Sequence, residues 1–426
     1  MLSPHNSKET KAILNAVRVM GHEPVWLRDE NTRSWIEDGG VQLSPRVDVL
    51  VNRLLLTKSD HQLEDLQLAA LYADTTPVLN SPQAVANTLH KFRAGTKLAA
   101  AGLPVPDAYF GRSPRTFEEW PEHLPEKAAH KHTIGTNGQR MSVVSQSDPV
   151  GPTIDDEQSF VQEFLEGRGD RPSDVRMYVV GEDIVGAMRR HAPEGDWRTN
   201  VALGGEVEDV TDDIGPEPRR LAREATEVLG LDLAGVDLMS IDGTWYILEV
   251  NATAGFKGLF SATGISAAPH IARLAIERLG GSVEKSEISD LESTLDDSVP
   301  ECKPPLIEDQ GEEDVLGYTT RIRIHGRDGT EKAVAKSDTG AKRTSIDTDL
   351  AGQIGAGPMV GTIEVRSGTV GGTETRPLVD VDLCLNGSWR TVTASITDRS
   401  EMTYPVLLGR DVLEGHTLDI SQTVEE

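Results

Sequence analysis

Gly235-Val236-Asp237-Leu238-Met239-Ser240-Ile241-Asp242-Gly243-Thr244-Trp245-Tyr246-Ile247-Leu248-Glu249-Val250-Asn251 is the stretch that decides the architecture. Two apolar runs flank Asp242-Gly243, a dipeptide suited to the positive φ angles of a tight hairpin turn. Glu249 and Asn251 stand two apart on the second run and so project from one face. A carboxylate among Leu and Val is costly unless it is paired or holds a cation. Mg²⁺ takes hard oxygen ligands, often one or two carboxylates together with phosphates. The plainer reading of the same residues is the exposed end of a strand.

Upstream, Lys131-His132-Thr133-Ile134-Gly135-Thr136-Asn137-Gly138 sets a lysine at an expected strand end before a Gly-rich turn. Glycines let backbone N–H groups approach phosphate oxygens, and lysine adds a point charge. No Gly-Lys-Ser/Thr follows, so this is not a Walker A loop, and a plain turn beside a surface lysine reads equally well. Phe160-Val161-Gln162-Glu163-Phe164-Leu165-Glu166-Gly167 is a strand entering a short linker, able to offer backbone groups to an adenine edge or simply to end a buried strand. Between these stretches and the hairpin, Asp174-Val175-Arg176, Met188-Arg189-Arg190 and Trp197-Arg198-Thr199-Asn200 recur at strand-like spacing. Arginine forks bind carboxylate and phosphoryl oxygens bidentately, although in an acidic chain each arginine alone reads as a counter-charge.

Working outward, residues 1–88 alternate helical and strand-like runs: a helix from Ser7 to Met20, Val25 to Leu27 extended, an apolar run from Val47 to Val51, a helix from His61 to Ala73, and Pro77 to Leu79 extended. That alternation predicts a small parallel α/β domain. Only Met1 and Leu2 precede the first loop, so its opening strand is expected to be clipped, with the true start upstream. Residues 89–280 predict an α+β domain that opens with a helix from His90 to Ala101 and closes with one from Pro269 to Leu279. Residues 281–314 hold twelve Asp or Glu against two Lys, the signature of a solvated acidic linker. Residues 315–426, rich in alternation such as Thr320-Arg321-Ile322-Arg323-Ile324, predict a small all-β domain.

With 69 acidic against 42 basic residues, a net charge of −27, the chain repels nucleic acid and anionic membranes. Acidity with few lysines suggests a halophilic protein in a salt-rich cytoplasm. Cys302 and Cys384 alone exclude a disulfide framework and a Cys-rich zinc site. No signal-like N-terminus and no run of about 18 apolar residues is present, so the expected location is cytoplasmic.

Residues 80–280 resemble the RimK-like ATP-grasp ligases, which add glutamate or related amino acids to a carboxylate. Carrying the resemblance are Asn80-Ser81-Pro82, Lys91, Ala101 to Pro106, Lys131 with Gly135-Thr136-Asn137-Gly138, Val161-Gln162-Glu163-Phe164, Asp174-Val175-Arg176, Trp197-Arg198-Thr199-Asn200 with Gly204-Gly205, Gly235-Val236-Asp237, and Leu248-Glu249-Val250-Asn251 with Gly255. The resemblance implies ATP contacts from Lys91, Lys131, the Gly135-Thr136-Asn137-Gly138 loop, the linker Glu163-Phe164-Leu165, and Arg176. It implies metal ligands Asp237, Glu249 and Asn251 for Mg²⁺ or Mn²⁺, two ions being expected. Arg176, Arg190, Arg198 and Asn200 are implied to touch the substrate or its acyl phosphate. The acceptor implied is a protein C-terminus, a peptide or a cofactor. Turn length then bears on the metal. A two-residue turn faces Asp237 away from Glu249, whereas a three-residue turn over Ile241, Asp242 and Gly243 puts Asp237, Glu249 and Asn251 on one face.

Downstream, Asp338-Thr339-Gly340-Ala341-Lys342 with Thr344-Ser345, and Thr397-Asp398-Arg399-Ser400 through Leu408-Gly409-Arg410, resemble a retropepsin-like aspartic protease and the domain class labelled ATP-dependent zinc protease. No zinc-ligand spacing accompanies them. The resemblance implies a water-activating Asp338, with Asp398 as helper or as structural partner of Arg399. One Asp-Thr-Gly in about 110 residues implies a homo-oligomer, at least a dimer, because such chemistry needs two carboxylates. The competing readings are a peptidase governed by an ATP-grasp nucleotide sensor and a non-catalytic binding protein.

Overall fold

Val175, Met177 and Val179 are buried on one side of the strand Ser173–Val180, while Tyr178 and Val180 are buried on the other. This strand is the middle of a five-stranded antiparallel sheet, ordered Glu206–Asp209, Asp183–His191, Ser173–Val180, Leu233–Ile241, Thr244–Asn251. The computed structural model describes residues 1–426 apart from 4–6, 30, 60, 113–119, 135–140, 148–158, 167–170, 194, 200–204, 297, 299–314, 367–372, 401 and 425–426. It divides into Met1–Ile307 and Glu308–Glu426.

In the first unit, helix Pro216–Leu229 lays Leu221, Ala222, Ala225 and Leu229 onto the Met177 side of the sheet, their spacing forming one helical face. Its ends are legible in sequence: proline in the first turn, and Gly230 in the left-handed region as cap. The opposite side is split. Tyr178, Val180 and Leu233 join a core with helices Lys8–Val19 and Ala268–Arg278, but Asp174, Arg176 and Asp237, on that same side by alternation, are charged. One end of this face is core and the other is site.

Asn80-Ser81-Pro82 has a structural task. Asn80, at φ 57°, accepts from Asp232 N and Leu233 N at 2.8 and 3.0 Å and donates to Leu233 O and Ala252 O at 2.8 and 2.9 Å. Ser81 caps helix Pro82–Leu89. A second sheet, ordered Ala108–Gly111, Ser159–Glu163, Lys127–Lys131, Ser142–Ser145, lies with helix Lys91–Ala100 in the same unit.

Three details differ from the sequence expectation. Val25 to Leu27 forms only a bridge from Leu27 to Leu2, and Leu2 also bridges Asn52, so Met1 to Ser3 occupies the place of an opening strand. A hairpin, Arg33–Glu37 with Gly40–Ser44, turns on Asp38-Gly39, both at positive φ. The acidic stretch after Gly280 opens with helix Lys285–Glu292, fixed by a Glu284/Glu287 capping box and by His270 on Glu292 at 3.1 Å, with Ile288 buried. Those residues therefore pack within the first unit rather than as solvated linker.

The second unit is a β domain with two short helices among the described residues, Thr348–Gln353 and Arg410–Leu413. Strand Thr319–His325 pairs with Thr330–Ser337 and also with Thr373–Leu385, which closes six of the seven strands on themselves around Ile324, Ile346, Leu383, Ala394 and Val406. Alternation along Thr319–His325, inward Ile322 and Ile324 against outward Arg321 and Arg323, makes that core.

Candidate active site

The hairpin closes with a two-residue turn: Ile241 pairs with Thr244, and Asp242 and Gly243 take φ 51° and 85°. The expectation that only a three-residue turn brings the acids together is therefore corrected. Leu238 pairs with Ile247, but the next pair is Asp237 with Glu249, so Leu248 is an extra residue in the second arm. This β-bulge resets the alternation. Asp237 and Glu249 stand directly opposite each other, and Gly235 stands opposite Asn251. Gly235 is required there, since a Cβ would lie 2.5 Å from that of Ala254.

The same register brings charged partners from neighbouring strands. Arg176 pairs across from Asp237, and Arg190 across from Asp174. Arg176 grips Asp237 through Nε and Nη2, both at 2.6 Å, and Arg190 reaches Asp237 at 2.9 Å. Arg190 also holds Asp174 bidentately at 2.7 and 2.6 Å, and Thr199 donates to Asp174 at 2.7 Å. Burial alone would raise the Asp237 carboxyl, but Arg176 and Arg190 outweigh it and hold it at about 2. Burial likewise opposes ionisation of Glu249, and the Lys91 ammonium at 2.5 Å overcomes it, lowering that carboxyl.

This network lines a cleft of about 1010 Å³ in the first unit. Also lining the cleft, Lys131 ends its strand and donates to Gln162 at 2.5 Å. Burial pushes its ammonium down to about 8, against the pull of Glu249. Lys91, at the first position of its helix, donates its backbone N–H to Thr133 O at 2.8 Å. Glu163, Phe164 and Leu165 leave the strand end along the cleft, and Phe164 meets Trp197 edge-on at 5.3 Å. Arg198 lines the cleft and pairs with Asp196 at 2.7 Å. Gly135, Thr136, Gly138 and Asn200 lie outside the described residues. Asp174 and Thr199 are members of the network that sequence reading did not single out as site residues. Strand spacing placed Asp174 beside Arg176, but nothing local names its partner on another strand.

The donor set suits a hard divalent cation. A carboxylate offers about four lone-pair positions, and guanidinium contacts take three of those of Asp237. Glu249 meets one ammonium, and the buried side-chain nitrogen position of Asn251 meets no partner among the described residues. Asn oxygen and nitrogen exchange by a simple flip. No three His, Cys, Asp or Glu side chains among the described residues cluster to hold a metal by themselves, so phosphate oxygens would have to complete the shell.

In the second unit, Asp338 follows strand Thr330–Ser337 and is half-buried, its Oδ1 accepting from Gly340 N at 2.8 Å and Ala341 N at 3.2 Å. Its backbone N–H reaches Leu408 O at 2.9 Å, so the two sequence motifs lie side by side. Asp398 is not the partner of Arg399: it accepts from Ser400, whereas Arg399 donates to Tyr404 O and to Ser345 Oγ.

Residues 88–275 match the RimK-like ATP-grasp domain model, and residues 352–423 match that of the retropepsin-like aspartic endopeptidase RimB, a stretch that begins after Asp338. A probable alpha-L-glutamate ligase of Alkalilimnicola ehrlichii is 33% identical over 192 residues, 44% of this chain and 62% of that protein. The probable alpha-L-glutamate ligase 2 of Hahella chejuensis is 28% identical over 278 residues, 61% of this chain and 88% of that protein. The ATP-grasp ligase PsnB, solved with a minimal precursor, shares the fold with a TM-score of 0.51 at 21% identity, over 65% of this chain and 97% of that one. The chain thus carries a RimK-like ATP-grasp domain, followed by a RimB-like, retropepsin-like domain in its C-terminal region.

Proposed function

We propose that the first unit is an ATP-dependent carboxylate–amine ligase. The observation that carries this reading is the row Arg176, Asp237, Glu249 and Lys91, brought together by the bulge and opening onto a cleft that also holds Lys131. Lys91 and Lys131 bind the phosphates of ATP. The Gly135, Thr136 and Gly138 loop covers them, and Glu163, Phe164 and Leu165 flank the base. Asp237, Glu249 and Asn251 would hold Mg²⁺ or Mn²⁺, which would supply positive charge to offset that of the phosphates. A carboxylate oxygen of the acceptor attacks the γ-phosphorus, and ADP leaves with the electron pair of the broken P–O bond. The amine nitrogen then bonds to the acyl carbon, phosphate departs with the C–O pair, and the amine gives up a proton. Arg190, Arg198 and Asn200 stabilise the oxyanion of that second step. Glutamate is the proposed amine donor, in keeping with the names of the relatives, and Asp338 serves a peptidase in the second unit. A nucleotide-regulated peptidase without ligation is not favoured, because the carboxylate–arginine row is intact.

The test is nucleotide product analysis with ATP, Mg²⁺, amino acid and a carboxylate acceptor. ADP and phosphate in equal amounts are expected. AMP and pyrophosphate would overturn the mechanism.

A further inference from the structure

One buried cation in the cleft is not explained by the phosphate chemistry. Arg53 follows the short strand Leu50–Val51 and is 5% exposed. Its Nη1 donates to Ala254 O at 3.1 Å and its guanidinium lies 5.9 Å from the Phe256 ring centre. Its Nε is buried and meets no acceptor among the described residues. Burial lowers its pKa, with Glu9 opposing. Thr57 Oγ1, of another residue in the cleft lining, is also buried without a partner among the described residues. A native interior rarely leaves such donors unmet without a reason.

Position supplies the reason. Ala254 is three residues beyond Asn251, so the two Cα atoms are at most about 11 Å apart. Arg53, hydrogen-bonded to Ala254 O, therefore belongs to the end of the cleft that holds Glu249 and Asn251. It lines the same cleft as Lys131, as do Ser7, the N-cap of helix Lys8–Val19, and Thr10 within that helix. The amine donor brings one group that ligation does not consume, its own α-carboxylate. A guanidinium fork with an unmet Nε–H matches that group in charge and geometry.

We infer that Arg53, with Thr57, forms the subsite for the α-carboxylate of the incoming amino acid, an inference that rests on the ligase reading and names where its amine donor sits. The subsite selects free α-amino acids over their α-amides and turns the amine toward the acyl carbon. Arg53 is here a specificity residue and takes no proton.

The experiment is calorimetric titration of the full chain, loaded with AMPPNP and Mg²⁺, with each standard L-amino acid and then with the α-amide of the tightest binder. Wild type should prefer the acid by at least about 10-fold, the scale of one charge-assisted contact. Arg53→Gln should reduce that preference to within about 2-fold while AMPPNP affinity is unchanged, and Arg53→Lys, which keeps the charge but not the fork, should fall between. Circular dichroism checks the fold, and Arg53→Lys carries the test if Arg53→Gln does not fold. Three results overturn the inference: no amino acid binds wild type, the amide binds as well as the acid, or Arg53→Gln keeps the preference. Failure of the ligase reading shows separately, as AMP rather than ADP or as nucleotide turnover independent of amino acid. If Arg53 instead held the carboxylate that is activated, Arg53→Gln would stop ADP formation and leave the acid-over-amide preference intact, which also overturns it.

Discussion

Two carboxylates, Asp237 in the first unit and Asp338 in the second, show opposite ways of holding an acid. Asp237 is buried and held by Arg176 from the adjacent strand and Arg190 from the strand beyond it, opposite Glu249 on the next arm. Asp338 is half-buried and satisfied by the amides of its own turn, Gly340 and Ala341. The first arrangement is complete within one chain. In the second, Asp338 meets backbone amides and no second carboxylate among the described residues, whereas shared-proton aspartate chemistry needs two. The difference teaches what each proposed activity needs: the proposed ligase residues meet within a single chain, whereas the proposed hydrolysis would need a second copy to bring Asp338 to Asp338.

The largest effect expected is at Glu249. Glu249→Ala should lower amino-acid-dependent ADP release by at least about 1000-fold, as loss of a charge-stabilising group in a closed site does, with circular dichroism unchanged. Asp237→Ala should do the same and also destabilise by about 3–5 kcal/mol, because it leaves two buried guanidinium groups facing an emptied partner. Thermal unfolding separates the two variants. If Asp237→Ala were as stable as Glu249→Ala, the clamp would not be a structural element.

Next, Asp338→Asn should abolish any peptide hydrolysis and leave ADP release as in wild type. Light scattering of the full chain in high salt should give twice the chain mass under hydrolysing conditions. A monomer that cleaves peptides would break the contrast drawn between the two acids.

Deleting Leu248 tests the bulge itself. A regular hairpin with the same Asp242-Gly243 turn would pair Asp237 with the residue in the position of Leu248, which in the deletion variant is Glu249. The acids should therefore still face each other, and ADP release should fall without vanishing. Complete loss in a folded variant would show that the bulge does more than set register.

The smallest effects are those of pH. The Asp237 carboxyl is held at about 2 in the fold, against about 3.9 unfolded. Its contribution to stability is present above the unfolded value and is lost as pH falls from about 4 toward 2. Asp237→Asn should remove that part of the acid-unfolding slope. The Lys131 ammonium is pushed down to about 8, so the free protein should lose ATP affinity as pH rises through 8, and Lys131→Arg should move that loss upward.

Much of this site was written locally in the sequence. Asp242-Gly243 gave the turn, the Glu249–Asn251 spacing gave the shared face, and Lys131 fell at its strand end as expected. Leu248 was not legible as a bulge, because its place depends on how Asp237 is already held by Arg176 on a strand some sixty positions earlier. Asp174 and Arg190 went unpaired for the same reason: their register is set by the sheet. Arg53 was invisible because burial, not residue type, makes it notable. Two misses were of another kind. Asp38-Gly39 carries the same hairpin signal as Asp242-Gly243, and Glu284 with Glu287 forms a capping box, so both elements were legible but outweighed by their polar surroundings.

The most direct test of the central claim is mass spectrometry of a cell extract incubated with ATP, Mg²⁺ and either wild type or Glu249→Ala. The account predicts products heavier by one or more amino-acid residues with wild type alone, with one ADP formed for each bond. The same products with Glu249→Ala, or products accompanied by AMP, would contradict it.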